Sequence, residues 1–100
     1  TSKTRMPQLA DVPTAHEAGL PNFENIGWFG LFAPAGTPAA VIRKVQADVA
    51  KVMAETEIKA RLYVQGMSPV VNSTAEFTRQ IDQELDRWAK VVAARKLQAN

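Results

Sequence analysis

The sequence predicts an α/β chain with one buried strand, one short strand and three to four helices. Ile26 to Ala33 is the longest apolar run outside the helical half, and it carries Trp28, Phe29 and Phe32. Gly27 and Gly30 within that run weaken a helix, while a short aromatic-rich run bounded by turn residues suits a strand buried on both faces. Met67 to Val71 is the second strand candidate, and Pro69 within it places it at a sheet edge or a twisted entry. The helices are announced by apolar residues recurring every three and four positions after Pro38.

Taken in order, residues 1 to 13 are polar and punctuated by Pro7 and Pro13, which hold their predecessors extended and predict a loop. Thr14-Ala15-His16-Glu17 has the spacing of a capping box. Gly19 supplies a left-handed stop and Pro21 prevents resumption, so about one helical turn is expected here. Asn22 to Asn25 follows as a loop in which Phe23 plugs the underside of the fold. After the strand, Pro34 ends the extended run and Ala35-Gly36 turns the chain. Thr37 is placed to cap a helix with Pro38 at its first position.

Val41, Ile42, Val45, Val49, Val52 and Met53 form one stripe of that helix. A break near Glu55-Thr56 starts a second, shorter helix with Ile58 and Leu62 one turn apart and Gly66 as its stop. Ser73-Thr74-Ala75-Glu76 is a second capping box and the clearest helix start in the chain. The final helix carries Phe77, Ile81, Leu85, Trp88 and Val92 and is expected to reach about Arg95.

Composition excludes several classes. The net charge is +2, and basic residues alternate with acidic ones along the helices, which describes a solvated face and not a nucleic-acid footprint. No apolar run approaches a membrane span, so no membrane insertion is expected. With 46% apolar and 22% charged residues the chain reads as a soluble globular segment, and its 100 residues allow at most one modest core. The absence of cysteine removes disulfides, thiolate metal sites and thiol catalysis together. The opening Thr1-Ser2-Lys3-Thr4-Arg5 has no apolar region behind it and does not read as an export signal.

Few residues offer chemistry. His16 has no second histidine for a metal site, and no HExxH or GxSxG spacing occurs, so it reads as a surface or capping histidine. A small hydrolase using His16 is the enzymatic alternative. Gly27, Gly30 and Gly36 match neither a dinucleotide nor a P-loop pattern. The helix starting at Pro38 has free amides that form a generic anion site, unless Thr37 occupies them. Trp28 and Phe29 alternate across the expected strand. Either both are core, or one faces a cleft and contacts a bound molecule. Trp88, on an apolar stripe, is expected in the core. The carboxylates Asp82, Glu84 and Asp86 lie among Arg79, Arg87 and Lys90 and support the helix. No catalytic residue, metal or cofactor is assigned. A self-contained helical interaction module is the non-enzymatic alternative.

Asp11-Val12-Pro13-Thr14, then Glu17-Ala18-Gly19-Leu20-Pro21, then Trp28 through Pro38 together resemble the C-terminal third of the tripartite tricarboxylate transporter solute receptors, the Bug family. The similarity continues through Leu62, Gly66, Glu76-Phe77 and Trp88 to Val92. It implies a fragment of a two-lobed, Venus-flytrap (type II) periplasmic binding protein of a Gram-negative bacterium, with any export signal ahead of Thr1. In such a receptor, residues 1–25 are the tail of the second lobe and a hinge-proximal loop. Residues 26–100 are the crossover strand and the C-terminal helical part of the first lobe. The implied function is capture of a small organic carboxylate and delivery to membrane permease subunits, without catalysis. Trp28 and Phe29 are the candidate solute contacts, on the cleft or hinge side. The isolated chain is expected to self-associate. Ala94-Arg95-Lys96-Leu97 departs from the family pattern, in which a glycine commonly ends the last helix.

Overall fold

The computed structural model describes residues 1–98, which divide into two units, residues 1–36 and a second from Thr37 onward. The first unit is built from turns. A 3₁₀ turn spans Pro7–Leu9, with the amide of Leu9 donating to the Met6 carbonyl at 2.9 Å. Thr14 begins a single hydrogen-bonded turn, and its hydroxyl accepts from the Glu17 amide at 3.2 Å, as the capping spacing predicts. The turn closes with the pair of bonds that ends a helix at a left-handed residue. The amide of Gly19 donates to His16 and that of Leu20 to Ala15, with Gly19 at φ +97°. Thr14, which opens this turn, is buried, with 4% of its surface exposed.

The second unit is helical: α1 (Ala39–Ala54), α2 (Thr56–Val64) and α3 (Thr74–Arg95). Pro38 and not Thr37 is the N-cap of α1, one residue later than the sequence places it, and the cap makes no side-chain bond. Glu55 separates α1 from α2. Its extended backbone, at φ −67° and ψ 135°, breaks the helix, and its carbonyl then accepts from the Lys59 amide to start α2. α1 and α2 pack against each other. α2 ends as predicted at Gly66, where φ is +70° and the amides of Gly66 and Met67 return to Tyr63 and Leu62. Gln46 Nε2 of α1 donates to the Asn72 carbonyl at 3.1 Å, tying α1 to the segment that leads into α3.

The start of α3 follows from its sequence. Ser73 Oγ accepts from the Glu76 amide at 3.2 Å, and Glu76 Oε2 accepts from the Ser73 amide at 2.7 Å, a complete capping box. Its end is less conventional. Lys96 takes the left-handed position, φ +51°, while its amide and that of Leu97 bond back to Ala93 and Val92. The closing bonds are those a glycine would support, made at a residue that carries a Cβ.

The α/β expectation is corrected by this structure. No strand occurs among the described residues, and the two-lobed binding-protein fold is not visible in this chain. The stretch Ile26 to Ala33, expected as a buried strand, is irregular and exposed: Phe29 is 91% exposed and Leu31 and Phe32 71% each. Met67 to Val71 is likewise irregular, with Val70 76% exposed. A strand exists only by pairing, and the described residues offer neither stretch a ladder to join. Phe23 is half-exposed and plugs nothing, and no hydrophobic residue among those described is fully buried. Trp88, expected in a core, is 44% exposed. Of the three to four expected helices three form, and the fourth remains the single turn at Thr14.

Candidate functional site

The candidate contacts Trp28 and Phe29 lie on the irregular segment of the first unit. Trp28 is partly covered, whereas Phe29 stands almost wholly in solvent. His16 is exposed, in the turn that Gly19 closes, and its carbonyl accepts from the Gly19 amide at 3.2 Å. No group of three histidine, cysteine or carboxylate side chains that could hold a metal occurs among the described residues.

The strongest polar constellation is one that sequence patterns did not single out. Arg5 reaches from the loop before the 3₁₀ turn to Glu17. Its Nε donates to Glu17 Oε2 at 2.8 Å, its Nη2 donates to the same oxygen, and its Nη1 donates to the Ala10 carbonyl at 2.9 Å. Lys3 pairs with Glu24 at 3.5 Å in the same unit. The hydrogen bond from Arg5 holds the Glu17 carboxyl below its ordinary range, with the guanidinium charge and the Thr14 hydroxyl acting in the same direction. A separation of 12 residues across two prolines fits no helical or strand period, so spacing could not have found this pair.

In the second unit the charges pair along helix faces, as the alternating sequence implies. Lys44 bonds Asp48 at 2.7 Å, Arg61 bonds Glu57 at 2.5 Å, and Arg87 bonds Glu84 at 2.7 Å. Glu84 also accepts from the Trp88 indole N–H at 2.9 Å, and the Arg87 guanidinium lies 5.5 Å from the Trp88 ring centre. Ile58, Arg61, Leu62, Val64 and Gln65 line a mainly apolar hollow along α2 and its C-cap, open to solvent. No helix among the described residues is long and apolar enough to cross a membrane.

Known proteins similar to this chain place it in a class, the receptors of transport systems. The family description matching residues 1–97 is the tripartite tricarboxylate transporter family receptor, and the chain belongs to that family. Its relatives include a protein from the tcbD–tcbE intergenic region of a Pseudomonas species, 37% identical over the whole of this chain. A protein from the ttuE–ttuC′ intergenic region of Agrobacterium vitis is 32% identical over 93% of it. Protein BugT of Bordetella pertussis is 30% identical over 91%. The chain spans 30%, 28% and 28% of the length of these three relatives. No solved structure matches it. The resemblance read from the DVPT, EAGLP and WFGLFAPAGTP blocks is therefore established at the level of the family.

Proposed function

We propose that this chain forms part of a periplasmic receptor that captures a small carboxylate-containing solute and delivers it to the membrane permease subunits of a secondary, tripartite transporter. The observation that carries this reading is the family match across residues 1–97. A receptor role needs shape and hydrogen bonds, not a nucleophile and base, and the polar side chains described above are engaged in holding turns and helix ends. Trp28 and Phe29 are the residues of this chain proposed to meet the solute. An aromatic face left uncovered by its own unit offers apolar contact to the carbon skeleton of a small acid.

Calorimetric titration of the full-length receptor with citrate, succinate and benzoate, each beside its uncharged amide, tests the proposal. Saturable binding of at least one acid, with its amide at least about tenfold weaker, is the expected result. Acids and amides that bind equally, or not at all, refute it.

A further inference from the structure

In a receptor for anionic solutes an arginine is the obvious anchor for the solute's carboxylate, since its fork of donors matches two oxygens. Lys3 and Arg5 are the basic side chains of the first unit, and each faces a carboxylate of that unit, Glu24 and Glu17. Arg5 is the more committed. Three of its N–H groups are engaged, two with Glu17 Oε2 and one with the Ala10 carbonyl. Glu17 in turn belongs to the turn that Thr14 opens and Gly19 closes, and Thr14 itself is buried. The guanidinium therefore joins Ala10, at the end of the 3₁₀ segment, to the Thr14 turn, two pieces with no backbone hydrogen bond between them among the described residues.

We infer that Arg5 is a positioning residue, which fixes the Thr14–Leu20 turn by holding Glu17 and the Ala10 carbonyl together, and is not a contact for the solute's carboxylate. A lysine could not do the same, because one ammonium lacks the planar fork that spans both acceptors. The solute's charge is then met by groups other than Arg5, and the turn acts on binding by its placement.

The test uses Arg5→Gln, Glu17→Gln and the double variant in the full-length receptor, with two readouts. Amide exchange at residues 17 to 20 reads the turn without any solute, and is expected to accelerate in both single variants. Affinity for whichever acid the unaltered receptor binds is expected to fall by the same small factor in both, about threefold for a partly exposed ion pair. The double variant is expected to be no worse than either. The affinity arm rests on the receptor reading. The unaltered protein tests that reading first, and the exchange arm stands without it. Loss of affinity in Arg5→Gln alone, with Glu17→Gln binding as well as before, would make Arg5 a solute contact and overturn the inference. Unchanged exchange in either variant, or affinity unchanged in both, also overturns it.

Discussion

Replacing Ser73 by alanine tests the best-defined local device in this chain. Two of the amides that α3 would otherwise leave open are satisfied by side chains here. The Glu76 amide donates to Ser73 Oγ at 3.2 Å, and the Ser73 amide donates to Glu76 Oε2 at 2.7 Å. The serine hydroxyl donates to the same carboxylate oxygen at 2.8 Å, which orients it. Alanine removes the first and last of these bonds and leaves the Glu76 carboxylate with the Ser73 amide alone. The site is exposed, so water replaces part of what is lost, and the expected cost is about 1 kcal/mol. In a receptor-sized protein that lowers the melting midpoint by about 2 to 4 °C. Urea unfolding of the full-length receptor gives the free energy, and amide exchange at Glu76 and Phe77 locates it. Glycine at position 73 should cost only a few tenths of a kcal/mol, because it keeps a favourable cap backbone. A midpoint unchanged in the alanine variant, with protection at Glu76 intact, would refute the reasoning. The register of Phe77, Ile81, Leu85 and Trp88 along α3 would then need to be redrawn.

Lys96→Gly relieves a left-handed residue at φ +51°; a gain of about 1 kcal/mol is expected, reduced by the entropy glycine adds to the unfolded chain, and a loss of stability in urea unfolding would count against the cap. The carboxyls of Glu17, Asp48 and Glu76 are held below their ordinary range by Arg5, Lys44 and Ser73 respectively, so their contributions are complete above about pH 4.5 and disappear as the pH falls through the lowered values. Carbon-detected titration of these carboxyls should show midpoints below those of exposed glutamate and aspartate, and a midpoint at or above the ordinary value would remove the corresponding bond. The isolated 100-residue chain should self-associate, because no hydrophobic residue among those described is fully buried and Phe29, Leu31 and Phe32 stand mostly in solvent. Sedimentation at several concentrations tests this, and a monomer with cooperative unfolding at micromolar concentration contradicts it.

The parts of this structure legible in the sequence are those decided within one turn of backbone. Ser73 and Glu76, Thr14 and Glu17, and the stops at Gly19 and Gly66 are each settled by residues three to five apart. The Ser73 box and both stops formed as read, while at Thr14 the hydroxyl caps the Glu17 amide and the Glu17 carboxylate turns to Arg5 instead of reaching back. Position is less secure even there: Pro38 caps α1 where Thr37 had the better side chain. The stretches Ile26 to Ala33 and Met67 to Val71 failed for a different reason. Their composition announces a wish to be buried, but a strand is a property of two segments, and no periodicity in one segment supplies the other. The Trp28–Phe29 pair inherits that difficulty, since which aromatic faces a cleft depends on a partner the residues do not specify. Arg5 and Glu17 show the complementary limit, a pairing made across an irregular loop that leaves no periodic trace.

The same division between local and distant causes predicts how firmly each helix holds. No helix here has a fully buried residue, so burial cannot rank them. What remains is length, capping and pairing along each face. α3 has 22 residues, a complete capping box, a closed C-terminus and the Glu84–Arg87–Trp88 cluster on one face. That is well beyond the length at which helices become marginal in water. α1 has 16 residues and the Lys44–Asp48 pair, but its cap offers no side-chain bond. α2 has nine, too few to stand alone, and leans on α1 and on its Gly66 closure. Apolar residues stay exposed on every helix, among them Val45 and Val52 on α1, Val64 on α2 and Leu85 and Val92 on α3, and such residues are surface in need of a covering partner. Among them the α3 stripe is the one already presented on a helix that can hold its shape first. A partner that covers it would add packing to a preformed face, without the entropic cost of ordering that helix.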